Sequence, residues 1–364
     1  MDPSTATGQF EKAYSGRTIL VTGDTGFKGS WLAIWLHGLG ARVVGLSLPP
    51  RSPRDNYAVC GLQGRIEHVD GDIRDFGTVR RLMKDRRPSV VFHLAAQALV
   101  LDSYKDPLGT FQTNVLGTAN VLEAIRDCPG VRAAVMVASD KCYENREWVH
   151  GYRETDPLGG RDPYSASKGA SEIVTSSYTR SFFSSPGTAS IASARAGNVM
   201  GGGDWAPNRI VPDCVRALRA RRTVMVRNPD AVRPWQHVLE PLHGYLRLGA
   251  LLLSGGKKYS GAWNFGPSHR NQVTVRQLVE AFLRHWGSGS YTVRGKGGPR
   301  EAGLLALDIS KAASILGWSP ALDFETTVAL AVEEYKFAGK RPDDFFGQRT
   351  RQIRRYMEQR ASGR

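Results

Sequence analysis

The segment Thr18–Ser30 constrains the fold more than any other stretch of this 364-residue chain. An apolar run, TILVTG, ends in glycine. The turn Gly23-Asp24-Thr25-Gly26-Phe27-Lys28-Gly29 then leads straight into SWLAIWLHGLG, whose apolar residues recur at helical spacing. A strand apolar along its whole length is buried on both faces, so helices must cover it from two sides. The same rhythm returns in ARVVGLSL (41–48), IEHVDGD (66–72), a basic helix around Val79–Lys84, SVVFHLAA (89–96), a helical stretch near Leu108–Arg126, and VRAAVMVAS (131–139). This alternation predicts an α/β fold, a doubly wound parallel sheet with right-handed crossovers.

After about residue 188 the rhythm loosens. TASIASARAG reads as a further strand and NVMGGGDWAPNR as a glycine-rich loop. Shorter pieces follow: VPDCVRALRA, TVMVRN, LEPLHGYLRLGALLL, GAWNFG and TVRQLVEAFLRHW, with ETTVALAVEEYKFA as the last helix. The expected organisation is a flexible leader over 1–15 and a Rossmann-type domain over 16–190 with later returns near 235–265. A smaller interleaved α/β substrate domain occupies mainly 191–350, and a basic tail 351–364.

Composition excludes several classes. Hydrophobic residues at 41% and charged residues at 23% argue against a disordered chain, a collagen-like fibre or a coiled coil. No apolar run reaches the roughly 18–20 residues a bilayer span needs; the strongest, Tyr245–Leu253, contains Arg247. The polar N-terminus has no apolar signal core, so neither export nor a membrane partner is expected. Cys60, Cys128, Cys142 and Cys214 lack CxxC spacing, which argues against zinc or a disulfide framework and for a reducing, cytoplasmic setting. The net charge of +15 suits an anionic small molecule or a nucleic acid. No zinc-finger or RNP pattern accompanies it, so a nucleic-acid partner is not expected. The eight Lys and Arg of Lys340–Arg364 read as a solvated tail.

Three motifs carry chemistry. In the first turn, Gly23, Thr25, Gly26, Phe27 and Gly29 suit a chain that must bend tightly, approach a pyrophosphate and offer it a helix N-terminus. The acidic residue that should hold the adenosine ribose is missing: strand two ends Leu46-Ser47-Leu48-Pro49-Pro50-Arg51. Arg51 or Arg54 suits a 2′-phosphate instead, so this position leaves NAD and NADP both open. Asp72 and Ile73 follow the third strand, where Asp72 serves either adenine contact or the turn itself. Second, Tyr164-Ser165-Ala166-Ser167-Lys168 places a phenol and an ammonium one helical turn apart. The cation is expected to lower the phenol pKa and make a usable base. Third, Ser139-Asp140-Lys141-Cys142-Tyr143 ends a strand at the sheet edge where α/β proteins bind ligands. Ser139 can share a substrate hydroxyl proton with Tyr164; a plain strand-ending turn is the alternative.

Together the TGxxGxxG turn, the strand-end Ser and YxxxK resemble the extended short-chain dehydrogenase/reductase family, within it the nucleotide-sugar modifying enzymes. The likeness runs from about 16 to 335. GDTGFKGSWL, SDKCYEN, RAGNVMGGGDW and RPWQHVLEPL are similar to the CDP-sugar branch of its 4,6-dehydratases, whose other members carry Thr-Asp-Glu at Ser139-Asp140-Lys141.

The resemblance implies a tightly held NAD, NADP not excluded, and CDP-glucose as substrate. Gly23, Gly26 and Gly29 then flank the pyrophosphate, Asp72 and Ile73 the adenine, and Ala95 the cofactor path. Tyr164 and Lys168 become the catalytic pair, Lys168 also bonding the nicotinamide ribose. Asn198, Arg209, Arg233 and Arg300 face the nucleotide sugar, and His237 is read as a core histidine.

The activity implied is C4 oxidation, loss of water across C5–C6 and hydride return to C6. Ser139 and Tyr164 serve the first step. Asp140 acts as acid and Lys141 as base in the second; a base role for Lys141 requires its neutral amine, which burial and Lys168 favour and Asp140 opposes. A 4-epimerase or reductase on the same scaffold is the alternative. A homodimer is implied through the helices near Leu108–Arg126 and Tyr164–Phe183, with Val115, Leu122, Ile173 and Val174 among their apolar positions.

Overall fold

The computed structural model describes residues 10–268, 272–293, 303–337 and 344–362. Seven parallel strands form its main sheet: β1 (Thr18–Thr22), β2 (Arg42–Ser47), β3 (Glu67–Asp70), β4 (Val90–His93), β5 (Ala133–Val137), β6 (Ser190–Ala196) and β11 (Gly261–Phe265), in spatial order β11-β6-β5-β4-β1-β2-β3. The order reverses between β1 and β4, so the loops after these strands open a crevice at their carboxyl ends. Thr22 pairs with His93 across that switch and with Leu46 on its other side.

The inner strands are buried on both faces, which is why β1, β2, β4 and β5 read as apolar runs, whereas the edge strand β3, EHVD, is partly exposed. Alternation along β1 sends Ile19 and Val21 into one core and Leu20 into the other. The first core is closed by α1 (Phe27–Gly38) and α6 (Leu239–Gly255), whose Trp31, Trp35, Leu242 and Tyr245 are buried. The second is closed by α2 (Phe76–Arg86), α3 (Gly117–Arg126) and α4 (Pro163–Phe182). Full burial of such side chains contributes about 1.5–3 kcal/mol each.

A smaller unit packs α5 (Ile210–Arg219), α7 (Val275–Trp286) and α8 (Phe324–Phe337) around Val215, Phe282 and Tyr335. It carries β8 (Val224–Val226), parallel to β13 (Tyr291–Val293), and β9 (Val232–Pro234), antiparallel to β12 (Gln272–Thr274). Gln277 caps Thr274 reciprocally and starts α7. Between the two units, β7 (Val199–Met200) pairs with β10 (Gln236–His237). The return near 235–265 is thus made by β10, α6 and β11, which adds the edge strand beside β6.

The chain ends differ from the sequence expectation. Within the leader, residues 10–14 form a helical turn that buries Phe10 and Tyr14. The tail, read as solvated from its charge, is a helix, α9 (Phe345–Ala361). Arg351, Arg354 and Arg355 are exposed, while Arg349 is buried and Phe345, Ile353, Tyr356 and Met357 join the main core. Tyr356 Oη donates to Glu240 Oε2 at 2.7 Å and Arg360 pairs with the same carboxylate. A charge count carries no information about which face a helix buries. The long helix near Leu108–Arg126 is also interrupted: Gln112–Leu116 is a π turn between Pro107–Phe111 and α3.

Candidate active site

A cleft of about 1120 Å³ opens at the switch point. Its walls include Gly23, Thr25, Gly26, Phe27, Gly29, Asp72, Ile73, Ala95, Ser139, Asp140, Lys141, Tyr164, Lys168, Asn198, Arg209 and Arg233. Arg300 lies outside the described residues.

The glycine turn is tight because nothing else fits it. Gly23 has φ +78°, and a Cβ there would lie 2.7 Å from Ala95 N; a Cβ on Gly29 would lie 2.0 Å from Gly23 O. Gly26 caps α1 without a side chain, and the first turn of α1 has no acid. Free N–H groups at a helix start facing a cleft suit a pyrophosphate. At the end of strand two, where the acid is missing, hydroxyls line the cleft. Ser47 Oγ donates to the buried Asp24 Oδ1 at 2.9 Å and lies 2.9 Å from Thr25 Oγ1. Asp24 Oδ2 also meets His68 Nδ1 at 2.7 Å. The cleft thus presents hydroxyls here, with a carboxylate behind them. Asp72 spends its carboxylate on Arg74, at 2.6 Å. These features fit a nicotinamide dinucleotide.

Helix α4 begins where Asp162 accepts from Ser165 N at 2.9 Å and Pro163 sets the first turn. That start aims Tyr164 and Lys168 into the cleft from one helical face. Burial pushes the Tyr164 phenol up to about 12; hydrogen bonding with Ser139 and the Arg209 charge draw it down, against the pull of Asp140. Desolvation pushes the Lys168 ammonium down to about 8, opposed by Glu172. Glu172 is itself held by Arg195 at 2.7 Å.

At the end of β5, Ser139 Oγ donates to Asp140 Oδ1 at 3.0 Å, and the Lys141 ammonium reaches the same oxygen and Asn198 Oδ1, both at 3.4 Å. Asp140 Oδ2 is buried with no hydrogen-bond partner among the described residues. The Lys141 side chain keeps 28% exposure and lines the cleft. Arg209 Nη1 pairs with Asp204 Oδ2 at 3.0 Å. Arg233 Nη1 donates to Val232 O at 2.9 Å. His237 is fully buried against Glu334 Oε1, at 3.2 Å.

Two residues escaped the sequence reading. Lys28, inside the glycine turn, lines the cleft; burial pushes it down to about 7, reinforced by Arg209, Lys168 and Lys141 and opposed by Asp140. Its signal was a lysine where the turn needs no charge. Asn114 sits in the π turn and bridges Gln97 N, at 2.8 Å, to Ser167 Oγ on α4, also at 2.8 Å. Such turns are frequent at functional sites, but no residue pattern announces them.

A strand-end Ser, a Tyr/Lys helix and a glycine turn around one crevice define a short-chain dehydrogenase/reductase type of site. The chain belongs to the GDP-mannose 4,6-dehydratase family, whose model matches residues 20–331. It is 44% identical over 349 residues to CDP-glucose 4,6-dehydratase of Salmonella typhimurium, covering 94% of this chain and 97% of that one. It is 30% identical over 344 residues to dTDP-glucose 4,6-dehydratase of Xanthomonas campestris, covering 87% and 93%. Among solved structures, a dTDP-glucose 4,6-dehydratase of Streptomyces venezuelae with NAD bound is similar, at 28% identity and TM-score 0.75, over 88% of this chain and 98% of that one.

Proposed function

We propose that this protein is an NAD-dependent nucleotide-sugar 4,6-dehydratase, a hydro-lyase that converts CDP-glucose to CDP-4-keto-6-deoxyglucose. The observation that carries this reading is the Ser139-Asp140-Lys141 turn facing Tyr164 in one cleft. Tyr164 and Ser139 alone serve any oxidation at a sugar carbinol; an acid and a second proton-handling group beside them serve elimination. Likeness to the Salmonella enzyme supports the CDP-sugar choice. A 4-epimerase or reductase needs the Tyr–Lys pair but no such second pair.

NAD would be held by the Gly23–Gly29 turn, Asp72, Ile73 and Ala95, with Lys168 at the nicotinamide ribose. It supplies the oxidising centre that takes hydride from C4 and gives it back at C6. Tyr164 takes the proton of the C4 hydroxyl, and Ser139 bonds the same oxygen. The C4 ketone acidifies the C5 hydrogen. Lys141, as the amine, removes it, while Asp140 gives a proton to the departing 6-hydroxyl; C5 is then reprotonated. Arg209 and Arg233 bind the diphosphate, for which a guanidinium fork is suited, and Asn198 orients Lys141 and the sugar.

Incubation with a panel of glucose nucleotides tests the reading. CDP-glucose with NAD should yield the alkaline ultraviolet absorbance of a 4-keto-6-deoxy sugar. Turnover of another nucleotide alone, or C4 inversion, contradicts it. Tighter binding of NADP, lost on Arg51→Ala or Arg54→Ala, contradicts the cofactor choice.

The working form is a homodimer in the cytoplasm. Leu108, Phe111, Leu116 and Ile173 are exposed on the helices named for the interface, which supports a second copy there. Leu122 is core and Val174 packs against it, so neither is available. Leu116→Glu should shift the sedimenting species to monomer. Four free, buried cysteines suit a reducing compartment. Among the described residues no helix is long and apolar enough to cross a membrane.

A further inference from the structure

We propose that Arg349, on the C-terminal helix, is a positioning residue that fastens the two facing walls of the cleft to each other. The inference rests on the dehydratase reading only for the identity of the ligands. Arg349 lies beyond residue 331, where the family match ends, and it does not line the cleft. It is 1% exposed.

Its guanidinium stands at a junction of three elements. Nε donates to Asn56 Oδ1 at 3.0 Å. Asn56 directly follows the cofactor-side loop, whose Leu48, Pro50, Arg51, Arg54 and Asp55 line the cleft. Asn56 Nδ2 in turn donates to Ser30 Oγ on α1, at 3.0 Å. The guanidinium lies over the Trp31 ring, 4.9 Å from its centroid. Trp31 Nε1 donates to Gly202 O at 3.0 Å. Gly202 N donates to the Glu334 carboxylate, which also holds His237.

Gly202 and Gly203 open the loop that continues through Asp204 to Arg209 on the substrate side. Gly202 packs against Arg349 and Gly203 against Asn56, each too closely for a side chain. A Cβ on Gly202 would lie 2.5 Å from Arg349 Nη2, and one on Gly203 would lie 2.4 Å from Asn56 Cβ. Tyr335 Oη closes the chain by donating to Asp204 O at 2.7 Å. Displacing Gly202–Asp204 therefore displaces Arg209, which Asp204 holds.

An arginine is needed for geometric reasons. A planar fork can bond Asn56 along one edge, reach Gln348 Oε1 at 2.8 Å along another and stack on Trp31 with its face. A lysine offers a single point charge. Loosening the junction should let both walls drift while the catalytic side chains, anchored on β5 and α4, stay in place. The expected signature is weaker binding of both ligands with little loss of chemistry.

The test compares Arg349→Met and Arg349→Lys with Ile353→Ala. Ile353 is a core residue on the same helix and lies outside this junction. Wild-type turnover of CDP-glucose first tests the dehydratase reading by itself. Calorimetric titration with NAD, and separately with CDP, then reads the junction whether or not that substrate is the right one. The Arg349 variants should bind both ligands about tenfold more weakly, with kcat within about threefold of wild type. Ile353→Ala should lower Tm comparably and leave both affinities unchanged. Equal ligand affinities in wild type and Arg349→Met overturn the proposal. So does a loss in Ile353→Ala as large as in Arg349→Met, because helix stability alone then accounts for it.

Discussion

The two walls of the cleft are built from opposite materials. The wall proposed for the cofactor is backbone: Ala95 leaves no room for a side chain at Gly23 and Gly23 O leaves none at Gly29, while a Cβ on Gly26 would only crowd Gly23 O at 3.2 Å. The wall proposed for the substrate is side chain: Arg209, paired with Asp204, and Arg233, which donates to Val232 O, line the cleft from a loop and a short strand. Backbone geometry tolerates almost no substitution, whereas a guanidinium on a loop can be replaced with graded loss. Between the walls stand Tyr164, Lys168 and the Ser139–Lys141 turn, on the rigid helix and strand where proton transfer needs fixed distances.

The comparison breaks most readily at its centre. Tyr164→Phe should lower turnover by roughly 10²–10⁴-fold with NAD affinity retained, since the ring stays and only the proton acceptor goes. More than half of wild-type turnover would remove Tyr164 from the mechanism. On the cofactor wall, Gly29→Ala forces a carbon against Gly23 O and should cost about 1–3 kcal/mol of stability as well as NAD binding. Thermal melting and titration with NAD check both; a normal Tm with normal binding would show that the turn has slack. On the substrate wall, Arg209→Met should raise KM for the nucleotide sugar about tenfold, with kcat nearly unchanged and NAD binding intact. An equal loss of NAD binding would erase the division between walls.

This division also explains what could be read in advance. The glycine turn, the strand rhythm and YxxxK are local patterns, so the parallel sheet and the helix that carries Tyr164 and Lys168 followed from the sequence. Arginine has no such pattern, and Arg209 and Arg233 came only through family resemblance. The packed C-terminal helix was missed because its charges hid Phe345, Ile353, Tyr356 and Met357. Tyr164 shows a different gap. Helical spacing brings Tyr164 and Lys168 to one cleft, but burial, which spacing does not reveal, pushes the phenol up.

The smallest effect concerns the charge that the cofactor wall does carry. Lys28 and Lys168 are pushed down to about 7 and about 8 from their ordinary 10.5, so between these values and 10.5 the unfolded chain binds more protons than the folded one. These two amines therefore add stability as pH rises from 7 to about 8.5. Above the ordinary thiol range the buried Cys60, Cys142 and Cys214, all pushed up by burial, act in the opposite direction, so the informative range is pH 7 to about 8.5. Lys28→Met should flatten part of that rise and lift Tm at pH 7. A wild-type Tm that falls over this range would contradict the placement of both amines.

The central claim is that Asp140 and Lys141 turn an oxidising site into an eliminating one, and Lys141→Met tests it most directly. In single turnover with CDP-glucose, absorbance at the reduced nicotinamide band and exchange of C5 deuterium are followed together. The predicted result is a 4-keto hexose that keeps its 6-hydroxyl, persistent reduced nicotinamide, and no C5 exchange. Rapid C5 exchange in the variant would show that another group is the base. Absence of any reduced nicotinamide would place Lys141 in substrate binding or the first oxidation, and would contradict the account.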